Sequence, residues 1–399
     1  MEATLPPDHR ARLIARLVDH LDLAAFYDSI KSRVGRPGRP KADPRVLTAL
    51  WIYAMDQGVD SARKLAALVK EHDAYRWLMG GVSTNHHQLS DFRVQTPQAL
   101  EETFEQVLQL MANDGLAPTR RQALDGTKVR ASAGAASFRR EKRLRRKLQR
   151  SQNQHARTRE RPVRSARKQA ARERAWRERT GRVEQALNKE LPEARQAKKP
   201  AEREEARAST TDPEARVMKM ADGGFRPAYN LQFTTETKGW VILGVRALNA
   251  GTDMGQMQPM LELLDRSQRR PKEQLVDGGY GKLSDIEQAE KAGTRVYCPE
   301  QEQRQAKPNQ PKESDAPEVQ RWRKRMGTES AKRIYKERAS TAELVMADLK
   351  SHGLVLRVRG LPKILRVATW VALAHNVRRW LSMLRASFSG STLQFLHSL

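Results

Sequence analysis

The stretch Gln122-Ala-Leu-Asp125-Gly-Thr-Lys-Val-Arg130 decides the fold. Its apolar positions predict a strand that carries one carboxylate, Asp125, in its middle. A second stretch, Glu273-Gln-Leu-Val-Asp277-Gly-Gly-Tyr280, predicts a buried strand that ends in an aspartate, where two glycines turn the chain out of a sheet. A third stretch, 335–343, enters a helix that carries Glu343. Two aspartates on strands and one glutamate on a helix supply the oxygen ligands that a divalent metal ion prefers.

Composition and charge indicate a polyanionic partner. The chain has 399 residues, 38% of them hydrophobic and 30% charged, and Lys and Arg outnumber Asp and Glu by 74 to 47. The net charge of +27 favours nucleic acid, because cationic side chains bind phosphates and release their counterions. A membrane surface is the other candidate, but no apolar run reaches the roughly 18–20 residues of a spanning helix.

Cysteine usage and the N-terminus bear on the compartment. The single cysteine, Cys298, excludes an intrachain disulfide and cysteine-rich zinc modules, and it suits a reducing cytosol. The first residues lack the apolar segment of a secretory signal. We therefore expect a cytoplasmic protein.

The first 115 residues predict amphipathic helices. Their spacing places helices at 8–33, 44–58, 61–70, 73–79 and 98–114. Helix, short turn and helix is the pattern of a helix-turn-helix, with Arg63, Lys64 and Lys70 exposed for DNA contact. An ordinary helical bundle gives the same periodicity, so this alternative stays open.

A basic arm is expected between the first two of these helical segments. The sequence from Gly35 to Pro44 holds two Gly-Arg-Pro triplets, with Arg36 and Arg39, and cannot form regular structure. Such arms enter the minor groove of DNA, although a proline-fixed linker that happens to be basic is an equal alternative.

A strongly basic segment follows the Asp125 strand. Residues 139–207 contain about 25 Lys and Arg against about 10 Asp and Glu, more than half of the excess positive charge of the chain. Low hydrophobicity argues against an independent core and favours long solvated helices, such as a helical hairpin. The alternative is a charged coil without a role.

The remaining sequence alternates strands with helices and predicts a mixed α/β fold. We expect a helix capped by Asp212, then a strand hairpin whose first strand, 227–234, alternates as a half-buried strand does. A helix capped near Asp253 follows. The further expectations are a strand at 273–277, a helix at 283–292, a strand at 294–298, a loop at 300–327 and a closing helix at 364–384.

Phosphodiester chemistry explains why the three carboxylates matter. It needs an activated oxygen nucleophile and neutralisation of the attacked phosphate, and two Mg²⁺ (or Mn²⁺) ions bound by carboxylates supply both. Each residue also has a simpler explanation. Asp125 precedes a glycine and starts a turn, Asp277 belongs to an ordinary strand–helix turn, and Glu343 completes a capping box with Ser340.

Several contexts resemble those of bacterial insertion-sequence transposases of the DDE type. In the N-terminal part they are 38–47, 72–78 and 85–93. In the catalytic part they are Asp125-Gly-Thr-Lys128, 211–215, 224–232 and Asp277-Gly-Gly-Tyr280. The resemblance covers nearly the whole chain. It implies an RNase H-like fold, metal-dependent DNA cleavage and strand transfer.

The third signature of this superfamily is Tyr-x2-Arg-x3-Glu-x6-Lys. Tyr335, Arg338, Glu343 and Lys350 match it by type, but four residues instead of three separate Arg338 from Glu343. Glu337 and Asp348 are therefore alternatives to Glu343. The resemblance implies that Asp125, Asp277 and Glu343 bind the metals and that Tyr335, Arg338 and Lys350 contact phosphates.

The function expected from this resemblance is transposition of the protein's own insertion sequence. The protein would bind double-stranded DNA at the terminal inverted repeats as a homodimer, in association with the nucleoid. The alternatives are a repressor derived from a transposase that no longer cleaves DNA, and an RNase H-like nuclease without strand transfer.

The expected regions follow from these assignments. They are a DNA-binding helical domain (1–115), the first catalytic strand region (116–137), a basic helical insertion (138–210), the rest of the catalytic domain (211–360) and a C-terminal closing helix (361–399).

Overall fold

The structure is a computed structural model that describes residues 4–30, 42–159, 165–300 and 309–387. Its N-terminal part is helical, as expected. The helices are α1 (Arg10–Asp19), α2 (Ala24–Asp28), α3 (Pro44–Asp56), α4 (Ala62–Glu71), α5 (Asp73–Leu78), α6 (His86–Gln95) and α7 (Pro97–Asn113). Helix α3 begins as predicted, because Asp43 accepts a hydrogen bond from the Arg45 backbone and Pro44 occupies the first turn.

A mixed sheet follows. The strands of the chain are β1 (Arg121–Arg130), β2 (Phe138–Arg139), β3 (Ala208–Ser209), β4 (Arg216–Lys219), β5 (Phe225–Glu236), β6 (Ile242–Leu248), β7 (Glu273–Leu275) and β8 (Arg295–Tyr297). All but β2 and β3, which pair with each other, belong to one sheet. Strand β1 lies at its centre, antiparallel to β5 on one side and parallel to β7 on the other. Strands β4 and β6 pair with the far edge of β5, and β8 pairs in parallel with β7.

The register between β1 and β7 brings the two predicted aspartates to one edge of the sheet. The parallel pairing joins Ala123 to Leu275 and ends there. Two residues further along each strand, the chain reaches Asp125 and Asp277. Because the strands are parallel neighbours, both carboxylates lie just beyond the end of their paired region.

The basic segment forms a helical hairpin. It consists of α8 (Glu141–Arg159), α9 (Ala166–Gln185), a π turn at Ala186–Glu190, and α10 (Leu191–Gln196). A small core of its own holds it together, with Leu144 and Val183 buried. The pairing of β2 with β3 closes its base.

Further helices of the described part of the chain pack around the sheet. They are α11 (Met257–Arg266), α12 (Leu283–Lys291), α13 (Pro317–Met326), α14 (Glu329–Arg338), α15 (Leu344–Ser351) and α16 (Leu361–Ser387). The predicted closing helix is α16. It packs on β6 of the sheet and on α3, α6 and α7 of the N-terminal part. One continuous hydrophobic core therefore joins the N-terminal helices to the sheet.

Three local expectations are wrong. Asp212 caps no helix, because its buried carboxylate accepts hydrogen bonds from the Tyr229 hydroxyl and the Gly360 amide. The strand containing 227–234 is buried on both faces, since sheet and helices cover it. Residues 317–326, expected as loop, form α13, whose apolar face buries Trp322.

Candidate active site

Asp125 and Asp277 both contact the guanidinium of Arg338. The Nη2 atom of Arg338 lies 3.3 Å from Oδ1 of Asp125 and 3.6 Å from Oδ2 of Asp277. The other oxygen of Asp277 accepts a hydrogen bond of 2.8 Å from the Gly279 amide, so the Asp-Gly-Gly turn holds the carboxylate in place. The structure thus brings together two of the three predicted carboxylates.

Burial and neighbouring charges act on Asp125 in opposite directions. Burial raises its pKa above the ordinary value, and the charges of Asp277 and Asp253 add to this effect. The Arg338 guanidinium and the Gly126 amide, which donates a hydrogen bond of 2.9 Å, lower it. The carboxylate therefore lies where added positive charge is favourable.

Asp253 is a third carboxylate near this pair, and our sequence interpretation assigned it only as a helix cap. Helix α11 begins after Gln256 without a side-chain cap. Oδ1 of Asp253 instead accepts hydrogen bonds of 2.7 Å from the side-chain amides of Asn230 and Gln232. The position of Asp253 after β6, a strand that runs parallel to β1, is the signal that would have indicated it.

Gly126 allows this carboxylate to approach the central strand. A Cβ atom at Gly126 would lie 2.6 Å from Oδ1 of Asp253 and 2.3 Å from Nε2 of Gln232. Any side chain there would displace the amide network. Gln232 also accepts a hydrogen bond from Tyr280, so the network reaches the turn that carries Asp277.

Glu343 lies on a π turn that interrupts an otherwise continuous helix. The turn spans Ala339–Glu343 between α14 and α15 and packs on β1 and β5. In an α-helix a side chain five residues after Arg338 would point about 140° away from it. A π turn absorbs one extra residue per turn and returns Glu343 to the side of Arg338. The four-residue spacing in the sequence therefore has a structural counterpart.

Glu343 itself remains exposed and has no hydrogen bond or ion pair within the described parts of the chain. The two alternatives have other partners. Glu337 forms an ion pair of 2.5 Å with Arg121. Asp348 contacts His375 at 2.6 Å and also pairs with Arg378, on the side of the C-terminal helix.

The paired aspartates fit a divalent cation, although no three acidic, histidine or cysteine side chains in the described ranges are close enough to hold one together. The guanidinium of Arg338 supports this fit, because it is a positively charged group that contacts both carboxylates. Carboxylate oxygens are also the donors that Mg²⁺ and Mn²⁺ prefer.

A basic groove begins at this site. It has a volume of about 510 Å³, and Asp253 and Gly126 lie at one part of its wall. The cationic side chains that line it are Lys128, Arg130, Lys219, Arg226 and Lys350. Lys350, predicted to contact phosphate, therefore lines the same groove as residues of the Asp125 strand.

The other predicted DNA-binding residues lie elsewhere. Arg63, Lys64 and Lys70 are exposed on α4. Arg36 and Arg39 fall outside the described residues. Tyr335 is half-buried on α14, and burial raises its pKa, with Arg338 and Asp277 among the charges that act on it.

Two family models match the chain. Residues 1–95 match the model described as transposase domain (DUF772), and residues 291–381 match the model described as transposase DDE domain. No curated protein matches the chain significantly. None of the described helices is long and apolar enough to cross a membrane.

The mixed sheet, its paired aspartates and these matches define the class: the protein is a transposase. More particularly, the two family matches support a DDE-type insertion-sequence transposase, as the sequence motifs predict. Transposases act on DNA, and DDE transposases generally use divalent metal ions.

Proposed function

We propose that this transposase binds the ends of its own insertion sequence, cleaves the DNA there and joins the freed ends to target DNA. The observation that carries the proposal is the meeting of Asp125 and Asp277 on one cation beside a basic groove. The strand order β6-β5-β1-β7-β8, with β1 central, supports the RNase H-like fold that the motifs imply.

Three carboxylates hold the metal ions in this proposal. Asp125 and Asp277 would bind from the sheet edge. Glu343 would bind from the π turn, whose geometry brings it towards the side of Arg338. Two Mg²⁺ or Mn²⁺ ions, when bound, supply charge neutralisation and an activated oxygen nucleophile.

The basic side chains position the DNA backbone. Lys128, Arg130, Lys219 and Lys350 form no ion pair with another described residue, so their charges are available to phosphates. Arg338, which contacts both aspartates, would be available to a phosphate if a divalent cation took its place, with Tyr335 on the same helix. The groove thus leads a DNA strand to the carboxylates.

The test uses DNA that carries the inverted repeats flanking the coding region, together with a target plasmid. With Mg²⁺, the full chain should produce free 3′-OH ends and then joint molecules with the plasmid. Asp125→Ala and Asp277→Ala should abolish both products but leave binding to the ends nearly intact, because cationic residues carry the affinity. Cleavage like that of the wild type by either variant would contradict the proposed site.

The same assay separates the two alternatives. A nuclease without strand transfer would give 3′-OH ends and no joint molecules. A repressor would bind the repeats and give neither product.

A further inference from the structure

The proposed metal site carries more negative charge than the protein neutralises. Asp125, Asp253 and Asp277 all act electrostatically on the same neighbour, Tyr280, whose pKa burial and these carboxylates raise well above the ordinary value. Arg338 is the one cation that pairs with any of the three among the described residues. Three carboxylates against one guanidinium leave a charge of −2.

Asp253 is held by hydrogen bonds from neutral amides and forms no ion pair with another described residue. Its Oδ1 accepts both amide hydrogen bonds, and its other oxygen has no hydrogen bond or ion pair within the described chain. It lies in the wall of the groove, close to Gly126 and hence next to Asp125 in sequence. Asp253 forms no ion pair with the cationic side chains that line the same groove, so its negative charge is available to an added cation.

We propose that Asp253 is a further acidic residue of the metal centre, which increases the affinity of Asp125 and Asp277 for a divalent cation. This inference rests on the proposed function. Asp253 is a positioning residue here: it supplies negative charge beside the ion, while the amides of Asn230 and Gln232 fix its carboxylate and link it to Tyr280 after Asp277.

The design of the side chains supports this role over a purely structural one. Two amides would hold a neutral acceptor such as asparagine equally well, so the network alone does not require an ionised group. Glycine at position 126 leaves room for both the Gln232 amide and the Asp253 carboxylate beside the central strand. The arrangement therefore places a negative charge near Asp125, at a position where β1 carries glycine instead of a residue with a side chain.

Mn²⁺ affinity tests the proposal without DNA. The full chain is titrated with Mn²⁺, and free Mn²⁺ is measured by electron paramagnetic resonance. Asp253→Asn, which keeps the acceptor and removes the charge, should weaken Mn²⁺ binding about 10- to 100-fold, as loss of a supporting group around a metal typically does. Asp265→Asn is the matched control, because Asp265 lies on α11 and pairs with Arg270 away from the groove.

The melting temperature in metal-free buffer separates charge from structure. Asp253→Asn should melt as the wild type does without metal and gain less stability when Mn²⁺ is added. Wild-type Mn²⁺ affinity in Asp253→Asn, together with weakened affinity in Asp125→Asn, would overturn the inference and leave the proposed function intact. If Asp125→Asn also bound Mn²⁺ like the wild type, the proposed function itself would fail.

Discussion

At the scale of single residues, the site depends on where two strands stop pairing. Asp125 was predictable as a carboxylate in mid-strand and Asp277 as one at a strand end, because each follows directly on the apolar residues of its stretch. Their meeting follows from the register of β1 and β7, which neither stretch encodes alone. Our sequence interpretation missed Asp253: its position after β6 was a signal, but its hydrogen bonds to β5 join residues that are distant in sequence.

Two glutamates in one helix allow a matched test of the third carboxylate. Glu343→Gln should reduce cleavage by about a hundredfold or more, since it removes a proposed ligand of the metal ions that neutralise the attacked phosphate. Glu337→Gln should leave cleavage close to that of the wild type, because Glu337 pairs with Arg121. Rates measured on end-containing DNA at saturating Mg²⁺ check both. Equal losses of cleavage rate in the two variants would contradict the assignment of Glu343, and not Glu337, as the third carboxylate.

Asp348 should affect stability and not chemistry. Burial raises its pKa, but His375 and Arg378 outweigh burial and hold it at about 2. A lowered carboxyl pKa contributes stability that is full above the unfolded-state value of about 3.9 and is lost as the pH falls towards 2. Asp348→Asn should therefore cost about 1.5–3 kcal/mol in unfolding free energy at pH 7.

That cost should shrink below pH 4, where the wild type loses the same interaction. Urea unfolding at several pH values measures it, and the exposed Glu71→Gln serves as the control. A cost that stays constant down to pH 3 would contradict the assignment.

At the scale of elements, the π turn and the basic hairpin each accommodate additional residues within the fold. The π turn at Ala339–Glu343 accommodates one extra residue without rotating the rest of the helix. The basic hairpin was predictable from composition, because few of its residues are apolar. Its small core was not, since Leu144 and Val183 are far apart in sequence and meet only when the helices pair.

The hairpin should supply affinity that does not depend on DNA sequence. The antiparallel pairing of Phe138 with Ser209 brings its ends together, so a short Gly-Ser loop can replace residues 141–206. The deletion should flatten the fall of DNA affinity with rising salt, because residues 141–206 carry about 12 net positive charges and release counterions on binding.

Binding to a duplex of unrelated sequence at several salt concentrations measures this slope. The melting temperature of the deletion variant serves as the control for folding. An unchanged slope in a folded variant would show that the hairpin faces away from DNA.

At the scale of the whole molecule, the N-terminal helices and the sheet share one core. Helix α16 packs on α3, α6 and α7 as well as on β6, and it buries Trp370 completely. The amphipathic periodicity predicted α3, α7 and α16 but not α6, and it predicted none of the packing partners, because periodicity gives the buried face and not what covers it. An isolated fragment of the first 115 residues would expose apolar surface that α16 covers.

Sequence specificity should therefore be tested in the full chain. Carboxylates act on a backbone common to all DNA, so base contacts must select the element ends. Replacing Arg63, Lys64 and Lys70 by alanine should reduce the preference for end DNA over unrelated DNA, since each base contact is typically worth about 1–3 kcal/mol.

The matched control replaces Lys332, Arg333 and Lys336 on α14 by alanine, which removes the same charge elsewhere. Competition binding gives the ratio of affinities for the two DNAs. An unchanged affinity ratio in the α4 variant would show that another part of the chain determines sequence specificity.

The central claim is that Asp125, Asp277 and Glu343 form one metal site. The most direct measurement replaces Mg²⁺ with Fe²⁺, generates hydroxyl radicals with ascorbate and peroxide, and maps the backbone cuts by mass spectrometry. We predict cuts near residues 125, 277 and 343 that excess Mg²⁺ suppresses and Asp125→Asn abolishes. Cuts confined to other segments, or cuts that Mg²⁺ does not suppress, would contradict the account.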